Sequence, residues 1–299
     1  MRQIADILKD DGKPSGVYRD WTKEQYFGMA RMNASTLKAG LVGSKDVDAT
    51  MIRETFEGNR PPRKQAEQDA LDKGTLAHLA LLQPADVAGR VQVWEGGVRH
   101  GKKWDEFEAE HEGKLIMNRR DVNAVQDACR AFKQVPEVRE ILAPCDTELT
   151  VLTKEGNIYC RAGIDAITRE GLCVMLDPKT IGRGIDSHSV ANQIRSFAYR
   201  EQMGIYRRWY TKETGRQIDD VFLIFLSLPP QRIGIRLVRM TQAALEWGED
   251  RMLQALKTLE ECIQSDNWPV FFARDVCDVS EWEQGELALT GFDETEEEE

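Results

Sequence analysis

The clearest periodic signal lies in the second half of the chain. Residues 148–153 and 158–168 are rich in β-branched side chains, and 172–176 is a short apolar run ending at Asp177. Runs of this kind, bounded by turn residues, predict strands. Arg169-Glu170-Gly171 separates the last two runs and predicts a hairpin. Helical spacing over 189–214 predicts one long helix. Two further strands are expected over 221–228 and 233–240, joined through Pro229-Pro230. Residues 241–264 again repeat apolar positions at helical spacing, with Thr241 placed to cap the N-terminus.

The first half reads as helical. Residues 1–29 open with a polar stretch punctuated by glycine and proline and predict a loose arm. Asn33-Ala-Ser-Thr-Leu predicts a helix start, with Asn33 or Ser35 as N-cap. A helix over 65–82 is stopped by Gln83-Pro84, because the residue before proline is driven out of the α region. Residues 95–120 carry charges of both signs and predict a loop followed by helix, and 121–132 is amphipathic. The order is helices, then β-β-β-α-β-β-α. That pattern predicts an α/β protein in the α+β manner, a mixed sheet flanked by helices. No internal repeat is present.

Composition sets outer limits. The chain has 299 residues, 41% of them hydrophobic, which is ordinary for a globular protein. No apolar run approaches the roughly 20 residues that span a bilayer, and the N-terminus lacks the apolar core of a signal peptide. A cytoplasmic protein without a membrane partner is therefore expected. The six cysteines form no C-x-x-C pair, which speaks against a zinc ribbon or a thioredoxin-like site.

The net charge of −11 would argue against a nucleic-acid partner if it were spread evenly, but it is not. Residues 275–299 hold three Asp, eight Glu and no Lys or Arg, which leaves 40 acids against 40 Lys and Arg in the rest of the chain. The body is neutral and has room for a basic groove. The acidic tail is expected to be disordered.

The residues that carry chemistry lie around the hairpin. Asp177 and Lys179 are two apart and share one face of a strand. Asp165 ends the preceding strand, so a hairpin sets it beside Asp177. Two converging carboxylates repel unless a cation lies between them, and hard oxygen ligands suit Mg²⁺ or Mn²⁺. A lysine beside them suits stabilisation of a phosphoryl transition state. Gln202 and Tyr206 are i and i+4 on the next helix. Taken singly, a D-x-K is an ordinary strand end and a Q-x-x-x-Y is ordinary packing. Their order and spacing together carry the signal.

Gly163-Ile-Asp165, Asp177-Pro-Lys179 and Gln202-x-x-x-Tyr206, with the upstream Lys73-Gly-Thr-Leu-Ala-His78, resemble the RecB-like branch of the PD-(D/E)XK nuclease superfamily. The likeness is to the RecE-like (exodeoxyribonuclease VIII) phage exonucleases. It runs from about residue 30 to 272 and takes in Trp104, Asn267-Trp-Pro and Phe271. The Gly163–Asp165 element is one residue shorter than the family's G-x-x-D.

The resemblance implies a helical part over 30–145, a restriction-endonuclease-like catalytic core over 146–274 and the acidic tail beyond it. It implies His78, Asp165, Asp177 and the Pro178 carbonyl as metal ligands, with Mg²⁺ as cofactor and Mn²⁺ as substitute. Lys179 would be the catalytic lysine and Glu148 the early acidic position. Gln202 and Tyr206 would complete the site against DNA. The implied activity is 5′ to 3′ digestion of double-stranded DNA from its ends by a ring-like homo-oligomer that works beside a RecT-like single-strand annealing protein.

Arg183, Arg195, Arg200, Arg207 and Arg208 stand near the motif in sequence and are expected to bind DNA phosphates. Arg60, Arg63, Lys64, Lys102, Lys103, Arg119 and Arg120 are further channel candidates. The competing readings are a Cas4- or AddB-like nuclease and a catalytically silent DNA-binding subunit. The first commonly holds an iron–sulfur cluster through four cysteines, three of them clustered after the Q-x-x-x-Y element, where only Cys262 and Cys277 lie. The second has no use for an intact Asp165, Asp177 and Lys179.

Overall fold

The alternation over 158–168 becomes a strand with those bounds, and the rest of the fold is arranged around it. The computed structural model describes residues 2–19, 21–43, 46–59, 64–142, 145–182, 184–228 and 233–270. The chain divides into two units, 1–269 and 270–299. Apart from Val270 the second unit, and with it the acidic tail, lies outside the described residues.

The first unit is built on a mixed sheet. Its strands are β1 (Gly16–Tyr18), β2 (Met32–Asn33), β3 (Cys145–Glu155), β4 (Ile158–Thr168), β5 (Val174–Ile181), β6 (Asp220–Ser227) and β7 (Gly234–Arg239). The order across the sheet is β1-β3-β4-β5-β6-β7, and β2 also pairs with β4. β5 and β6 run parallel; β3–β4, β4–β5 and β6–β7 are antiparallel. β4 and β5 share only two pairs, Ala166 with Leu176 and Ile167 with Met175. Further along β4, Cys160 and Arg161 pair instead with β2. The sheet therefore splits in the middle.

Period-2 alternation loads both faces. Val221, Leu223 and Phe225 of β6 enter one core, with α4 (Tyr199–Thr214) and α5 (Gln242–Ser265) over it. Ile224 and Leu226 enter the other core, covered by α1 (Gln65–Leu82) and α2 (Arg119–Gln134). Each fully buried large apolar side chain contributes about 1.5–3 kcal/mol, so the two cores fix the sheet's position firmly. α4 and α5 cross through facing glycines. A Cβ on Gly204 would fall 2.3 Å from the Leu245 carbonyl oxygen, and one on Gly248 would fall 2.3 Å from that of Arg200.

Several expectations change. The N-terminal residues are not a loose arm. Ile4 and Ile7 are buried in the core, and β1 pairs with β3 along the sheet edge. Arg31, fully buried, draws the segment in through a two-pronged ion pair to Asp11. Hydrophobic residues spaced among glycine and proline hid this, because strand addition needs little sequence of its own.

The single helix expected over 189–214 is two, α3 (Ser187–Ser196) and α4, broken where Ala198 adopts a left-handed conformation (φ 49°). The 95–120 segment contains a helix, Lys102–Glu110, and also a strand, Leu115–Asn118, that pairs in parallel with Val91–Trp94. Asn33 and Thr241 cap helices as expected, accepting from the Thr36 and Ala244 amides. No helix among the described residues is long and apolar enough to cross a membrane.

Candidate active site

The split in the sheet brings three acids into one row. The β3–β4 register pairs Thr147 with Ala166 and Leu149 with Ile164, which leaves Glu148 opposite Asp165. The β4–β5 ladder stops at Ala166 and Leu176, so the next residues in its register are Asp165 and Asp177. Glu148, Asp165 and Asp177 thus stand side by side on three neighbouring strands, and neither ladder closes at this row. Glu148 carries a left-handed backbone (φ 54°), a costly conformation for a residue with a Cβ. That distortion turns its side chain out of the regular pleat.

α1 supplies His78 from the other side. Gly74, one turn earlier, faces β5: a Cβ there would make an ordinary contact, 3.4 Å, with Thr180 Oγ1. His78 Nδ1 lies 3.3 Å from Asp165 Oδ2. Ligand atoms of His78, Glu148 and Asp165 all fall within 4.8 Å of one another. Lys179 Nζ lies 2.6 Å from Asp177 Oδ2.

The electrostatics follow from burial and crowding. Burial raises the Asp165 carboxyl well above the usual carboxylate range, and the adjacent Asp177 charge pushes it the same way. For Asp177 burial also acts upward, but the Lys179 cation, with Asp165 and His78, outweighs it and holds the group below its ordinary value. Burial acts to lower the Lys179 pKa; Asp177 and Asp165 outweigh it and raise the group above its ordinary value. Crowding and burial thus favour the protonated form of Asp165 and the ionised form of Asp177.

A divalent cation would relieve that crowding with both carboxylates ionised. The donor set fits one: Asp165 Oδ2 and Asp177 Oδ2 are buried without a well-directed hydrogen bond among the described residues, and His78 and Glu148 converge on Asp165.

Gln202 and Tyr206 share a face of α4, yet they do different work. The Tyr206 hydroxyl is buried against the backbone of Gly163, two residues before Asp165, and burial lifts its pKa well above the usual phenol value. It braces β4 beside Asp165 and lies within electrostatic reach of both Asp165 and Asp177. Gln202 Oε1 accepts from Lys38 Nζ at 2.8 Å. Pro178 is buried in β5 between Asp177 and Lys179, with Ile224 as its partner in β6.

His78, Glu148 and Lys179 open onto a cavity of about 730 Å³ between α1 and the α3–α4 turn. Residues not singled out by sequence also line it: Arg90, Gln193, Phe197 and Tyr199. Tyr199 takes the Lys179 and Lys38 cations over its ring at 4.9 and 5.6 Å. Only Tyr199, one turn before Gln202, carried a sequence signal. Lys38 and Arg90 come from distant segments that only the tertiary fold brings close.

The expected DNA-binding arginines divide. Arg183 lies outside the described residues, as do Arg60 and Arg63. Arg195 is exposed on α3 and donates to Asn192. Arg200 stacks on Trp247 at 4.3 Å. Arg207 and Arg208 pair with Glu249, and Arg208 also with Glu155. Both line a separate cavity with Lys212, because they leave α4 on a face turned away from Gln202. The structure does not bring these two to the carboxylate row.

Comparison with known proteins bears on the fold and the family. A solved structure titled "Putative exonuclease" from Eubacterium rectale superposes over 90% of this chain and 94% of its own, with a TM-score of 0.59 at 13% identity, which makes the fold shared. A phage-related exonuclease from Haemophilus somnus 129PT covers 79% of this chain and 96% of its own at 12% identity, with a TM-score of 0.35. No curated protein matches the sequence. The model of one family matches residues 50–280, which include every residue of the carboxylate row, His78 and Lys179. The chain thus belongs to the family described as the PDDEXK-like domain of unknown function (DUF3799).

Proposed function

We propose that this protein is a Mg²⁺-dependent exodeoxyribonuclease that degrades linear double-stranded DNA from its ends, with Mn²⁺ as an effective substitute. The observation that carries the proposal is the row of Glu148, Asp165 and Asp177 across a split sheet, with Lys179 paired to its last member. His78, Glu148, Asp165 and Asp177 would hold the metal, with the Pro178 carbonyl as a further ligand. A bound divalent cation supplies Lewis acidity and lowers the pKa of water. Lys179 keeps its proton in this setting and directs it at the phosphoryl oxygens, where negative charge grows in the transition state. Tyr206 fixes the strand that carries Asp165. Lys38 and Arg90 offer cations to the phosphates on either side of the cut.

The resemblance to the RecE-like exonucleases supports the finer parts of the reading. These are 5′ to 3′ polarity leaving 3′ single strands, a homo-oligomer that stays on its substrate, a RecT-like annealing partner and a cytoplasmic setting of phage-type recombination. A digestion course on end-labelled linear duplex beside a closed circle tests the core of the proposal. Loss of linear DNA with the circle intact supports an exonuclease. Metal-dependent nicking of the circle at the same rate points to an endonuclease, and DNA binding without any cutting points to a silent subunit.

A further inference from the structure

The rim of the cavity carries an aromatic side chain that the chemistry above does not use. Phe197 is 57% exposed, while Tyr199 two residues on is buried. The two rings are nearly parallel, 16° apart in plane with centroids 5.8 Å apart. A single exposed apolar side chain is ordinary. This one is held out by its surroundings. Ala198 spends a left-handed backbone (φ 49°) on the turn between α3 and α4, and such a conformation in a residue with a Cβ persists only where the fold imposes it. Lys38 Nζ then donates to the Phe197 carbonyl at 3.0 Å, which fixes the backbone from beneath. One face of Phe197 rests on Tyr199, and the cavity with Lys179 and Glu148 begins beside it.

We propose that Phe197 is a stacking platform for a nucleobase of the strand being cut, unpaired from its complement as its phosphate enters the site. The inference rests on the nuclease reading above and names the form in which that site takes its substrate. A phosphate seated at the carboxylate row beside Lys179 has its base in the same cavity that Phe197 lines. An aromatic ring there offers a π-face that every base fits, so the contact positions DNA without reading sequence. A base stacked on Phe197 cannot also stack in a duplex. The terminal pair therefore opens before each cut.

The test is single-turnover cleavage by the full chain of short duplexes whose terminal nucleotides carry either thymine or an abasic site. The wild type should cut the thymine ends faster by about 5- to 150-fold, the range that base–aromatic stacking commands. Phe197→Ala should cut both at the slow rate, with its thermal unfolding unchanged because the ring is exposed. Phe197→Trp should restore the preference. A Phe197→Ala protein that keeps the wild-type ratio, or one that slows equally on both ends, overturns the stacking role while leaving the nuclease reading intact. A wild type that cuts neither substrate with Mg²⁺ removes the nuclease reading, and the platform falls with it.

Discussion

Lys38 Nζ donates to Gln202 Oε1 at 2.8 Å, joining residues 164 positions apart in the chain. The contact makes an N-terminal segment part of the site. Burial lowers the Lys38 pKa to about 8, and the nearby Lys179 charge acts in the same direction. The folded pKa lies below the 10.5 of the free side chain. The charged lysine therefore costs stability below pH 8, a cost removed as the pH rises from 8 towards 10.5. DNA binding should follow the opposite course, since the cation disappears. End affinity measured in EDTA is expected to fall through a limb near pH 8, and Lys38→Arg should hold its affinity to higher pH. An identical limb in both proteins would assign the titration to another group.

Lys179 should act on the rate and little on affinity. Lys179→Ala is expected to bind DNA ends and Mn²⁺ but to cut more slowly by several orders of magnitude, because its interaction grows only in the transition state. Separate measurement of end affinity and single-turnover rate checks this. Collapsed affinity with an unchanged rate at saturation would make Lys179 a DNA anchor.

The glycine crossing of α4 and α5 should tolerate no side chain. Gly204→Ala would press a Cβ against the Leu245 carbonyl at 2.3 Å and the Glu249 amide at 2.6 Å. Overpacking of this kind costs about 1–3 kcal/mol, visible as a lower urea midpoint. α4 carries Gln202 and Tyr206, so residual activity should fall with it. An unchanged midpoint would mean that the crossing has room for a Cβ.

The N-terminal segment should be structural. Removing residues 2–13 takes the buried Ile4 and Ile7 out of the core and leaves Arg31 buried without Asp11. Breaking one side of a buried ion pair costs about 3–5 kcal/mol, so the shortened protein should be markedly less stable in urea or insoluble. Full stability after truncation would return this segment to a dispensable arm.

How much of this was legible in sequence depends on the range of each interaction. The β4 strand and the 65–82 helix were readable to the residue, because alternation and a proline stop are local signals. The convergence of Asp165, Asp177 and Lys179 was readable because a hairpin and a two-residue spacing set it. Tyr206 was found for its spacing, while its contact with the Gly163 backbone is visible only in the packed fold. Arg207 and Arg208 were judged by closeness in sequence, while helical phase carries them to another face. The break at Ala198 left no signal, because alanine is a strong helix former and the tertiary setting overrides it. Lys38 and Arg90 reach the site through contacts that span much of the chain.

The central claim is that the row of acids binds the metal that cuts DNA. The most direct measurement is digestion of end-labelled linear duplex by wild type and Asp177→Asn, each with Mg²⁺ and with excess EDTA, beside Mn²⁺ titration of both proteins. The account predicts that only wild type with Mg²⁺ digests the DNA. It also predicts that Asp177→Asn binds Mn²⁺ far more weakly while remaining folded, with a loss of several kcal/mol in transition-state stabilisation. Near-normal digestion by Asp177→Asn, or by wild type in EDTA, would contradict it.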